Sequence, residues 1–304
     1  MTSIATYFRE TRPHFLLVTL TCVLLGVSTA VWSQAAVHWP YLLPALIGAL
    51  AAHISVNVLN DYFDYRSGLD LKTRPTPFSG GSGILPAGSM SPRSVLIFGL
   101  AALAVVALVG IFFLAVYGAD GLWLLPLGLL GMAVIFFYTQ HLTRSPWLCL
   151  VAPGLGFGPL MVLGTHFALT GRYDWAALAA SLVPGFLVSN LLLLNQFPDL
   201  EADAASGRRH VLIVWGRIAS ARLYASLLAA TYLWPVVAVI AGLLPWGALL
   251  CLLTLPLAVP AVRGVLSHAE DVGALVPFLG QNVLVTLSTP SLLALGIFLA
   301  RWLA

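Results

Sequence analysis

The chain has 304 residues, of which 60% are hydrophobic and only 8% charged, and its formal net charge is +3. Soluble domains carry about 25% charged residues, so this composition, with a mean hydropathy of +0.97, excludes a soluble globular protein and points to an integral membrane protein. No basic patch interleaves with stacking aromatics, which excludes nucleic acid as a partner and leaves the lipid bilayer as the chain's surroundings.

A helix needs roughly 20 apolar residues to cross a bilayer. Runs of that kind fall at 15–36, 41–60, 94–117, 121–140, 147–169, 175–196, 219–243, 246–264 and 281–302. The expected fold is therefore an all-α membrane protein of about nine transmembrane helices, a single membrane domain over 1–304. With a cytoplasmic N-terminus, twelve of the fourteen Lys and Arg residues fall inside, and only Arg172 and Arg301 fall outside. That segregation is what the positive-inside rule expects. Arg9 and Arg12 ahead of an apolar run resemble a signal peptide, but removing that segment would spoil the segregation. Cys22, Cys149 and Cys251 all lie in expected spans without metal-type spacing and read as core packing.

Two loops are expected on the inside face, 61–93 and 197–218. Six of the eleven Asp and Glu residues gather there: Asp61, Asp64, Asp70, Asp199, Glu201 and Asp203. Continued helically, the second span stacks His53, Asn57, Asp61 and Asp64 at steps of four, four and three, with Asn60 beside them. In the sixth span Asn195, Asp199 and Asp203 repeat at steps of four, and Pro198 marks a kink or a fresh helix start. Each apolar span thus ends in Asn and Asp, a weak sign of internal duplication.

Carboxylates this close repel unless a cation sits between them, and a hard divalent ion suits oxygen ligands. Mg²⁺ commonly takes one or two carboxylates together with substrate phosphate oxygens. The bases Arg66, Lys72, Arg74, Arg208 and Arg209 are placed to clamp the rest of an anionic group. The pattern reads as a diphosphate site at the mouth of a lipid-embedded cavity, against the plainer reading of acids that solvate a membrane rim. A transporter is the reading from another class, but its ion site belongs near the bilayer midplane rather than at the inner ends of spans.

The stretches NVLNDYFDYRSGLD, Asn57 to Asp70, and DLEAD, Asp199 to Asp203, resemble the two signature motifs of the UbiA family of intramembrane prenyltransferases. The likeness extends to Arg12–Pro13, to Tyr138, and to GLGFGPLMVLGTHFALTG at 154–171. With Gly68 and Asp70 after Asp64, it is similar to the naphthoate (menaquinone-pathway) branch. The resemblance implies nine helices around a central cavity, with Mg²⁺ as cofactor, an isoprenyl diphosphate as donor and an aromatic quinone precursor such as 1,4-dihydroxy-2-naphthoate as acceptor, the alternative being another phenol or a nonaromatic acceptor. It implies Asp61, Asp64, Asp199 and Asp203 as Mg²⁺ carboxylates, and Asp70 near the diphosphate or the acceptor. Asn57, Asn60 and Asn195 would bind metal or phosphate. Arg12 would contact diphosphate or acceptor, or serve as a topology anchor.

Tyr138 would place its ring near an allylic cation, or belong to the interfacial aromatic belt. His53 would be a hydrogen-bonded structural residue or a base. The run Ser79 to Gly83 would act as a mobile lid or as a phosphate nest. Phe157, Pro198 and His210 stand where the branch usually has an acid, a base and a threonine, departures that bear on the acceptor rather than on diphosphate chemistry. A bacterial plasma membrane, with the site facing the cytoplasm, is the expected location.

Overall fold

The computed structural model describes residues 3–33, 36–73 and 80–303. Arg74 and Ser79 lie outside the described residues. In a bilayer core every backbone N–H and C=O must be satisfied within its own segment, which leaves helices as the form for such apolar runs. After a short N-terminal helix, α1 (Ile4–Glu10), come α2 (Leu17–Trp32), α3 (Leu42–Ser67), α4 (Pro92–Tyr117) and α5 (Leu124–Phe137). The next stretch is α6 (Pro146–Leu155), a π-helical turn (Gly156–Leu160) and α7 (Met161–Thr170), followed by α8 (Trp175–Ala205) and α9 (Val211–Ile240). A 3-10 stretch at Trp246–Thr254 leads into α10 (Leu255–Ser267), and α11 (Val272–Leu303) ends the chain.

Eight helical stretches among the described residues are long and apolar enough to span a membrane, and α2, with 16 residues, is a shorter apolar helix. Each of the nine expected spans has its counterpart, and the protein is an all-α integral membrane protein.

The boundaries differ where charge disguises helix. α3 runs to Ser67 and stops at Gly68, which takes the left-handed φ of 78° that glycine adopts without cost. α8 runs through Pro184 and Pro198 to Ala205 without a new start, so Asp199, Glu201 and Asp203 ride on helix rather than in a loop beginning at 197. Acids at a helix C-terminus oppose its dipole and so resemble a loop in the sequence. Here Arg208 lies 2.9 Å from Asp203 and Arg217 2.9 Å from Glu201. The α9 stretch starts at Val211 but breaks at Gly216, whose φ of 78° and ψ of 172° are not helical, so a short helix inside the expected loop precedes the span itself.

α8 is the most enclosed span. It packs on α6, α9 and α11, while α3 packs on α4 and α2 on α7 and α11. Small residues let these backbones approach. A Cβ on Gly154 would strike the Gly185 carbonyl oxygen, and one on Gly158 would lie 2.5 Å from the Ser181 carbonyl oxygen. This close seam between α8 and the α6–π segment fixes how the π turn faces the interior. Cys22, Cys149 and Cys251 are buried and unbridged.

Candidate active site

Helices α2 to α8 enclose a cavity of about 590 Å³, and none of its lining residues comes from α9 to α11. Its walls are apolar over most of their length. Ala45, Phe113 and Leu124 close the far end, in a packed cluster with Phe167 and Ala168. Ala45 and Asp64 are nineteen residues apart on α3, so the cavity extends roughly 28 Å at the helical rise of about 1.5 Å per residue. Ile111, Leu125 and Leu129 line it and are also exposed on the outer face, so it opens sideways toward lipid between α4 and α5.

The other end is polar. Arg12, Asn57, Asn60, Asp64, Asp70, Tyr138, Asn195, Asp199, Asp203 and Arg208 all line it, so most of the residues singled out from sequence are brought together. Arg208 bridges the two acidic helices: Nη2 lies 2.6 Å from Asp64 of α3, and Nη1 lies 2.9 Å from Asp203 of α8. Burial alone would lower the Arg208 pKa, but the two carboxylates outweigh it and hold the guanidinium charged well above its ordinary range. Asn60 Nδ2 donates to Asp64 Oδ2 (2.9 Å) and to the Thr139 hydroxyl (3.0 Å). Asn57 Nδ2 donates to the Thr11 carbonyl at 3.1 Å. The Tyr138 hydroxyl donates to the Cys149 carbonyl at 3.2 Å, with its ring on the cavity wall.

Asp61 is not on that wall. At about 100° per residue it sits roughly 80° round the helix from His53, whereas Asn60 and Asp64 stay within about 20° of it. Its carboxylate turns toward the N-terminal segment, where it is paired with Arg12 and accepts from the Ser82 amide at 2.9 Å. The Ser82 hydroxyl donates to Glu10 Oε2 at 2.7 Å. Arg12 takes a left-handed φ of 53°, a strained conformation for a non-glycine residue. A Cβ on Gly81 would lie 3.3 Å from Asp70 and 3.4 Å from Arg12, so the loop backbone is drawn close over these groups.

Arg66, Lys72 and Arg209 are exposed and do not reach the cavity wall. Arg209 contributes only its backbone N–H, to the Thr143 carbonyl at 2.9 Å. Glu10, Ser82 and His210 also belong to the polar end: no motif selected Glu10, Ser82 was noted only as part of the Gly-rich run, and His210 only as a departure from the branch pattern. His210 Nε2 lies 3.0 Å from Asp203 Oδ2, both residues being buried. The signal for Glu10 was its place two residues before Arg12, and for His210 its place beside the Arg208–Arg209 pair.

Among the described residues no three Asp, Glu, His or Cys side chains form a ready-made metal cage. The donor set nonetheless suits a hard cation that shares its coordination with phosphate oxygens. Six carboxylates (Glu10, Asp61, Asp64, Asp70, Asp199 and Asp203) meet two guanidiniums, Arg12 and Arg208, at this end. The buried Asn195 Oδ1 on the cavity wall has no partner among the described residues. Burial, reinforced by Asp64, pushes the Asp70 carboxyl up to about 7. An added positive charge would relieve that excess.

The UbiA prenyltransferase family model matches residues 19–279. The 1,4-dihydroxy-2-naphthoate octaprenyltransferase of Mycobacterium tuberculosis is 32% identical to this chain over 269 residues, covering 88% of each. Among solved structures, an apo UbiA homologue from Aeropyrum pernix K1 superposes with a TM-score of 0.67 at 18% identity, over 94% of this chain and 98% of that one. A UbiA homologue from Archaeoglobus fulgidus bound to DMAPP and Mg²⁺ gives 0.56 at 14% identity, over 96% and 99%. The fold matches these structures, the family model covers most of the chain, and the protein therefore belongs to the UbiA prenyltransferase family as an integral membrane prenyltransferase.

Proposed function

We propose that the protein transfers an isoprenyl group from a prenyl diphosphate to an aromatic quinone precursor, with 1,4-dihydroxy-2-naphthoate as the first acceptor to test. The observation that carries this reading is the sharp division of one cavity into a charged rim and an apolar bore. The rim suits a diphosphate and the bore suits a hydrocarbon tail. The mycobacterial relative acts on that naphthoate by its name, and the Archaeoglobus structure holds DMAPP with Mg²⁺.

Asp64, Asp199 and Asp203, with the Asn195 amide oxygen, would hold Mg²⁺, and Asp61 would join them on leaving Arg12. When bound, the ion would supply charge stabilisation for the leaving diphosphate. Arg208 and Arg12 are positioned to bind diphosphate oxygens and steady the charge that develops there. As the C1–O bond breaks, the diphosphate leaves with the electron pair, a ring carbon of the acceptor bonds to C1, and the ring then loses a proton. Tyr138 presents its ring to the region where positive charge develops. The apolar walls keep water from the allylic cation. We place the N-terminus and the charged rim on the cytoplasmic side of a bacterial plasma membrane, because the basic residues collect there.

The test is transfer by the purified protein in nanodiscs. Radiolabelled farnesyl, geranylgeranyl and longer diphosphates would be offered with naphthoate and other phenolic acceptors, in Mg²⁺ or EDTA, beside Asp64→Ala. A metal-dependent lipid-soluble product formed from the naphthoate supports the reading. Product formed only with another phenol or a nonaromatic acceptor keeps the donor chemistry and replaces the acceptor.

A further inference from the structure

Between the charged rim and the apolar bore the cavity wall carries one imidazole. His53 sits four residues below Asn57 on α3, about 6 Å deeper at the helical rise, and is buried at its base with its ring edge on the cavity. Its Nδ1 is 2.8 Å from the hydroxyl of Thr19 on α2. Thr19 is fully buried. Thr21 and Thr29 on the same helix send their hydroxyl protons to the Val18 and Gly26 carbonyls, but Thr19 has no carbonyl acceptor among the described residues. Its proton is satisfied only by donation to His53 Nδ1, since an unpaired buried hydroxyl is costly. The ring proton then resides on Nε2. That nitrogen has no protein partner among the described residues and is not enclosed, so it presents an N–H donor to the cavity.

Facing it is Phe157, whose ring centroid is 4.5 Å from that of His53 at an interplanar angle of 78°. Phe157 stands on the π-helical turn Gly156–Leu160, a local widening of the kind that recurs at functional sites. The seam of Gly154 and Gly158 against Gly185 and Ser181 holds this turn against α8 and aims Phe157 inward. An aromatic edge and a lone N–H donor thus meet just below the rim, at the depth where a ring must lie to reach the C1 carbon of a diphosphate bound there.

We propose that His53 and Phe157 form the acceptor subsite, with His53 Nε2–H donating to a ring oxygen of a hydroxylated aromatic acceptor whose face or edge packs on Phe157. This rests on the reading that the protein prenylates an aromatic acceptor. The hydrogen bond orients the ring and favours its ionised, more nucleophilic oxygen form. Thr19 is a positioning residue that acts by fixing the tautomer. A ring without an oxygen at that position leaves the imidazole N–H unpaired and is rejected.

The test uses the full-length protein in nanodiscs with Mg²⁺, geranylgeranyl diphosphate and a hydroxynaphthoate. KM is measured for each substrate separately, and equilibrium binding of the hydroxynaphthoate is followed by its fluorescence. His53→Leu should raise the acceptor KM about tenfold or more and leave the donor KM within about twofold. His53→Gln, which retains an N–H, should recover part of that loss. Thr19→Val should raise the acceptor KM and weaken hydroxynaphthoate binding in parallel, and it decides the matter if His53→Leu does not fold. Wild-type acceptor KM and binding in Thr19→Val and His53→Leu, or an equal rise in both KM values, would overturn the subsite while leaving prenyl transfer intact. A wild-type protein that binds the diphosphate but prenylates no aromatic ring would overturn the functional reading itself, and the subsite with it.

Discussion

The rim of the cavity and the α9–α11 buttress both bury polar side chains, but they do so differently. In the buttress the groups are neutral and pair mostly with one another, although Asn282 Nδ2 and the Ser220 hydroxyl have no partner among the described residues. The Tyr232, Thr254 and Thr289 hydroxyls lie 2.7, 2.8 and 3.3 Å apart, and Tyr224 donates to Asn282 Oδ1 at 2.9 Å. At the rim the groups are ionisable, acids outnumber bases, and Arg208 and Arg12 pair with carboxylates. Neutral pairs within a membrane hold helices together. An imbalanced charged cluster costs stability and is retained for binding.

The largest effect that would test this contrast is on turnover. Asp64→Ala or Asp203→Ala should lower kcat/KM by about 10³-fold, while the melting temperature in detergent moves little, because Arg208 keeps its second carboxylate. A variant that melts early instead would show the rim to be structural. Next comes Gly154→Ala, whose methyl group meets the Gly185 carbonyl and displaces the π turn. Overpacking of this kind costs about 1–3 kcal/mol. Thermal unfolding should register that loss, and the acceptor KM should rise with it.

Tyr232→Phe should sharpen the comparison from the other side, with a loss of about 0.6–1.7 kcal/mol and unchanged kcat/KM. The last test concerns pH. Burial raises the Asp70 carboxyl from an unfolded value of 3.8 to about 7. The folded protein therefore binds the proton more tightly than the unfolded chain does. Stability from this group is fully present below about pH 4 and is lost as pH rises toward 7. Melting temperatures of Asp70→Asn measured across that window should lack this decline.

Much of this was legible in the sequence. Lipid leaves a chain with nine apolar runs little choice but helices, and carboxylates in so apolar a chain identify themselves. The turning aside of Asp61 was hidden in the difference between 3.6 residues per turn and a step of four, and in an arginine far away along the chain. The Glu10–Ser82 bond joins residues 72 positions apart, a pairing no local pattern records. His210 could not be read as a partner of Asp203 while the stretch from 197 resembled a loop, because the acids that end α8 conceal its last turns. His53 was visible as a polar residue in an apolar span, but its tautomer depends on Thr19 of another helix.

The Arg208 bridge also bears on how the molecule is made. Asp64 and its guanidinium partner are 144 residues apart, so a ribosome completes α3 through α8 before Arg208 exists. Until then Asp64 has to remain hydrated at the membrane surface, since burial of an unpaired carboxylate is prohibitive. Closure of the helical ring therefore waits for the α8–α9 connection, and truncation before residue 208 should leave inserted helices that do not assemble.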